Sequence, residues 1–86
     1  MEYIITFTNT SFAIKAEKTL LAQELQVGVL PLPSQISAGC GICLRIKPEE
    51  IRPAVGFLES VNVGEMGLYS REIRDERYTY QKEEIR

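Results

Sequence analysis

A chain of 86 residues makes one domain with one modest core, and 44% apolar against 26% charged residues is an ordinary globular balance. A net charge of −2 argues against a broad nucleic-acid surface, which needs an excess of Lys and Arg. Histidine is absent, so hydrolysis through a Ser-His or Cys-His pair is excluded.

The apolar runs are far shorter than a membrane span, and no basic-then-apolar leader opens the chain. With only two cysteines, the expected setting is a reducing cytoplasm and not a disulfide scaffold.

Glu2 to Phe7 is rich in β-branched and aromatic residues and predicts a first strand. Asn9, Thr10 and Ser11 are three successive candidate N-caps. They open a helix expected over 11–26, with Phe12, Ala13, Ala16 and Leu20 on one arc and Gly28 as its stop. Val27 to Leu32 predicts a short strand closed by Pro31 and Pro33, which belongs at a sheet edge. A loop from Pro33 to Gly39 leads to Cys40. Ile42, Leu44 and Ile46 then alternate with Cys43 and Arg45, the period of a half-buried strand.

Pro48, Glu49 and Glu50 have the composition of a helix start, and Ile51, Val55 and Leu58 supply a buried stripe for a helix over 48–60. Pro53 predicts either a kink or a later start. A turn at 61–64 and a last strand at 65–70 follow. Residues 71–86 are dense in charges of both signs and predict a solvated helix or frayed tail.

The order β-α-β-β-α-β predicts an α+β fold, a ferredoxin-like two-layer sandwich with an antiparallel sheet in strand order 4-1-3-2. Its domain would span 1–70, with 71–86 as a charged C-terminal extension. Both helices would cover one sheet face and leave the other open. The Cys40 loop would then lie beside Thr8, Asn9, Thr10 and Ser11, at the positive end of the first helix.

Cys40-Gly41-Ile42-Cys43 holds the residues best suited to covalent chemistry. Two thiols at this spacing can form a disulfide, pass sulfur, or simply pack as small buried hydrophobes. Strand parity sets Cys43 on the face opposite Ile42, Leu44 and Ile46, beside Arg45, a cation suited to a Cys43 thiolate. Cys40, before the strand and flanked by glycines, is expected to be the more accessible thiol. No metal site is expected, because structural zinc wants four N or S ligands and one chain supplies two. A thioredoxin-type role is awkward, since that chemistry places CxxC at a helix N-terminus and here it enters a strand. Glu49-Glu50 and Glu83-Glu84 read as a helix start and a solvated tail.

The strand Tyr3-Ile4-Ile5-Thr6-Phe7, the helical Ala13-Ile14-Lys15-Ala16-Glu17 and the stretch from Leu32 to Gly41 resemble the small selenium/sulfur carrier-like proteins. The likeness covers roughly residues 1 to 69, with a Ser-x-Gly-Cys-Gly element at Ser37, Gly39, Cys40 and Gly41; Cys43 lies beyond that element. It implies transfer of sulfur or selenium on a loop cysteine, with a protein donor and a protein acceptor and no cofactor. A carrier holds its cargo as a persulfide, so a second thiol within reach would attack it, form a disulfide and release sulfide. A carrier therefore wants Cys43 turned away; a CxxC redox switch wants it close. A third reading is a non-catalytic interaction module, with the edge strand at Val27 to Leu32 or the open sheet face pairing with a second copy or a partner.

Overall fold

The structure, a computed structural model, describes residues 1–85. Its elements are β1 (Glu2–Phe7), α1 (Thr10–Ala22), β2 (Val27–Pro31), β3 (Ile42–Ile46), a 3-10 turn at Pro48–Glu50, α2 (Ile51–Glu59), β4 (Met66–Arg74) and β5 (Arg77–Glu83). The strands form one antiparallel sheet in the order β2-β3-β1-β4-β5. The class is α+β, but the four-stranded ferredoxin-like βαββαβ expectation needs correction. The described residues form five strands, and the fifth lies outside β4.

Asn9 is the cap chosen from the three candidates. Its extended backbone turns the chain, and its side-chain oxygen accepts from the Phe12 amide at 2.9 Å. The helix ends earlier than Gly28. Glu24 takes a left-handed φ of 62°, and the Glu24 and Leu25 amides donate to the carbonyls of Leu21 and Leu20, closing the last turn. Gly28 instead sits within β2. At the second helix, the 3-10 turn precedes the α-helical start, so Pro53 is the third residue of α2 and lies in its first turn. A missing amide there removes no bond of the helix interior.

The segment expected as a charged tail is the largest departure. Arg71 to Arg74 complete β4, and β5 pairs with it from Leu68↔Glu83 to Arg74↔Arg77. Asp75 and Glu76, with φ of 50° and 64°, form the two-residue connection, the conformation of a type I′ hairpin turn. Alternation of Tyr69, Arg71 and Ile73 against Tyr78 and Tyr80 was the signal for this hairpin, masked by a turn that lacks glycine.

The helices cover one sheet face, where Ile5, Phe7, Leu44, Ile46 and Leu68 meet Ala13, Ala16, Leu20, Ala54 and Leu58. The opposite face is not open as expected. Ile36 from the β2–β3 loop folds over it and, with Leu30, Leu32, Tyr69 and Tyr80, buries Ile4 and Cys43. Among the described residues no helix is long and apolar enough to cross a membrane.

Asn9→Ala removes the cap bond and is expected to cost about 1 kcal/mol. In a chain of this size that lowers the thermal midpoint by roughly 4–8 °C. An unchanged melting curve would assign the helix start to another residue.

Candidate functional site

The β2–β3 connection runs from Leu32 to Gly41 and is pinned at both ends. The Leu32 amide donates to the Gly41 carbonyl at 2.9 Å, and the Ile36 amide donates to the Pro33 carbonyl at 3.0 Å. Ile36 anchors the loop on the helix-free face, and Cys40 anchors it on the helix-covered face. Gly39 brings the loop against the β1–α1 connection, where a Cβ would lie 2.2 Å from the Thr8 carbonyl oxygen. Only glycine permits that approach without a shift of backbone. Gly41 and Ser37 are exposed, and a Cβ on Gly41 would meet open space.

This approach sets Cys40 against the start of α1. Its thiol donates to the Thr10 hydroxyl at 3.6 Å, and the Ile42 amide donates to its sulfur at 3.4 Å. The Asn9 cap engages the Phe12 and Ala13 amides, leaving those of Thr10 and Ser11 outside the helix's own bonding. The first turn, whose free amides carry roughly half a positive charge, thus lies beside the Cys40 sulfur. Ser11 is exposed, and no bond joins it to the thiol among the described residues.

Accessibility differs from the expectation. Cys40 is 1% exposed and Cys43 is fully buried, and both thiols are free. Neither stands out to solvent, because the Gly39–Thr8 contact draws the loop down and turns the Cys40 side chain into the core with Phe7 and Ala13. Exposed neighbours on both sides, Gly39 and Gly41, make its cover thin.

Cys43 lies on the opposite side of the sheet, packed with Ile4 and Ile36, and its thiol faces the Pro31 carbonyl at 3.8 Å. Burial pushes this thiol from its ordinary 9.0 up to about 11, partly countered by the positive charge of Arg71. Arg45, expected beside Cys43 as its cation, instead forms an ion pair with Glu2 at 3.6 Å and lies across Gly28.

Arg71 is the residue that sequence reasoning missed, having been assigned to the tail. It is 7% exposed, its Nε and a terminal nitrogen reach Glu2 Oε1 at 2.9 and 2.8 Å, and its guanidinium stacks over Tyr78 at 4.0 Å. Burial alone would lower the guanidinium's pKa, but hydrogen bonding by Tyr80 and Glu2 and the Glu2 charge outweigh it and raise it. Beside it, Leu30, Pro31, Leu32, Tyr78 and Tyr80 line an open groove of about 530 Å³.

No group of three or more His, Cys, Asp or Glu side chains poised to hold a metal ion occurs among the described residues. The arrangement thus offers one thiol held at a helix N-terminus and a second thiol held neutral across the sheet. A family model described as Putative Se/S carrier protein-like matches residues 2–70, which include the whole Cys40 loop and stop before β5. No curated protein and no solved structure matches the chain.

Proposed function

The chain belongs to the Se/S carrier protein-like family, and on that premise we propose that it carries sulfur or selenium on Cys40 between a donor protein and an acceptor protein. The observation that carries this reading is the Cys40 sulfur at the first turn of α1, within reach of the Thr10 hydroxyl and the Ile42 amide. A transferred sulfur must sit on a nucleophilic, anionic cysteine; the Ile42 amide and the positive end of α1 suit such an anion, and the bond to Thr10 belongs to the protonated resting thiol.

In the loading step, the Cys40 thiolate attacks the terminal sulfur of a donor persulfide. A new S–S bond forms as the donor's own S–S bond breaks, and the donor leaves as a thiolate. Delivery reverses the roles. An acceptor thiolate attacks the terminal sulfur on Cys40, and the Cys40 thiolate is released. No net oxidant is needed at either step. Selenium in place of the terminal sulfur follows the same displacement.

The place of Cys43 supports a carrier over a CxxC redox switch. It is neutral near pH 7 and packed in a different apolar cluster, on the other sheet face from Cys40. An intramolecular attack on the cargo would require it to ionise and cross the sheet. Because Cys40 is covered, loading also requires the Gly39–Gly41 segment to lift away from Thr8, a local opening of the kind thin surface loops undergo.

The test is intact mass spectrometry after exposure to a small-molecule persulfide such as glutathione persulfide. Wild type and Cys43→Ser should each gain the mass of one sulfur atom, and Cys40→Ser should gain none. Loading on Cys43, or rapid conversion of the loaded wild type to a disulfide-bonded monomer, would overturn the assignment.

A further inference from the structure

The two edges of the sheet are unlike. β2 is five residues long, ends in Pro31 and contains Gly28, features that blunt an edge against pairing. β5 offers seven consecutive extended residues, Arg77–Glu83, with no proline and its outer side unpaired. We propose that the chain forms a two-fold dimer by antiparallel pairing of β5 with β5 of a second copy, centred on Tyr80.

The occupant follows from the strand's own charge pattern. Continuing the sheet with each face preserved requires residues whose numbers sum to an even value to stand opposite one another. Pairing the strand over its full length puts Tyr80 on the axis, Thr79 opposite Gln81, Tyr78 opposite Lys82 and Arg77 opposite Glu83 of the partner subunit. Arg77 and Glu83 are thereby matched, twice by symmetry, and Lys82 faces Tyr78. Shifting by one step either way pairs Arg77 with Gln81 or Thr79 with Glu83, and matches no opposite charges within the strand. Among the described residues Arg77 has no ion-pair partner within its own chain.

The flanking surface fits the same axis. Tyr78 and Tyr80 project on the helix-free face with Ile73, which is 65% exposed, so two copies would bring four tyrosines into one row. Lys82 already lies over the Tyr69 ring at 5.8 Å, and opposite Tyr78 it would meet a second aromatic face. The pairing leaves Cys40 itself free, because Cys40 lies on the helix-covered face beside Thr10, whereas the paired edge of β5 carries Tyr78 and Tyr80 on the other face. The inference does not depend on the carrier reading.

The experiment is sedimentation equilibrium of the full chain and its variants. Wild type should be a dimer. Arg77→Glu sets Glu against Glu at both ends and should weaken dimerisation by about tenfold or more. The double variant Arg77→Glu with Glu83→Arg should restore it. A Tyr80→Cys chain tests register independently, since residues opposite on an antiparallel two-fold lie within disulfide reach. It should cross-link to a covalent dimer on mild oxidation, while Arg77→Cys should not. A monomeric wild type, a dimer indifferent to the charge reversal, or equal cross-linking at both positions would overturn the proposal.

Discussion

Glu2→Ala is expected to destabilise the fold by roughly 2–3 kcal/mol, enough to lower the thermal midpoint by about 10–20 °C in a chain of this length. The cost comes from what remains behind. Arg71 is nearly enclosed by the hairpin, and Glu2 is the carboxylate that neutralises it through two short contacts. Without Glu2 a permanently charged guanidinium stays buried against Tyr78, with hydrogen bonding by Tyr80 as its main polar support. Arg71→Met should cost less than half as much. That substitution leaves the partner charge on Glu2, which is partly exposed and retains Arg45. The asymmetry is the test: matched losses in a chemical melt would mean that the pair acts as an exposed surface bridge, and a larger loss from Arg71→Met would mean that packing of the long side chain dominates.

The same network explains what was legible in the sequence. Alternation at Ile42, Cys43, Leu44, Arg45 and Ile46 fixed both the strand and the separation of Cys43 from the helix-side core, because parity in a strand decides the face. The helix start was legible as a run of three candidate caps, but not the choice of Asn9, because Thr10 and Ser11 carry short acceptor side chains as well. The loop's closeness to Thr10 followed from topology, since β3 pairs with β1 and both α1 and β3 begin at the same sheet end. Burial of Cys40 was not legible. It depends on a backbone contact between Gly39 and Thr8, about thirty residues apart in the chain.

The hairpin was hidden for a different reason. Its turn, Arg74-Asp75-Glu76-Arg77, carries no glycine at its left-handed positions, so mixed charge suggested solvated tail. The enclosing of Arg71 requires Tyr78 and Tyr80 on the returning strand, and that strand exists only once the turn forms. Without β5, Arg71 would be one more tail charge; with it, the charge is fixed within range of Cys43. The family match ends at residue 70, so the sequence likeness that covers the Cys40 loop does not reach this element.

Alkaline destabilisation through Cys43 is the second large effect expected. The folded thiol titrates at about 11 against an ordinary 9.0, so the folded state holds this proton more tightly than the unfolded chain does. The sign follows directly. Stability from the neutral thiol is fully present below pH 9, falls as the unfolded thiol ionises, and is lost as pH rises through about 11. The total is roughly 2–3 kcal/mol, the worth of a two-unit difference between folded and unfolded states. The quantity to measure is the difference between wild type and Cys43→Ala in denaturant melts taken across that range, which isolates the contribution of this one thiol. Cys43→Ala will be the less stable protein near neutrality, having lost a buried sulfur, and the gap should close or reverse toward pH 11. Arg71→Met should steepen the wild-type loss, because its charge opposes the effect of burial on the thiol. Parallel pH profiles for wild type and Cys43→Ala would show that Cys43 ionises as freely in the fold as outside it. A thiolate would then be available on the second sheet face at moderate pH, and the protection of the persulfide proposed for Cys40 would rest on distance across the sheet alone.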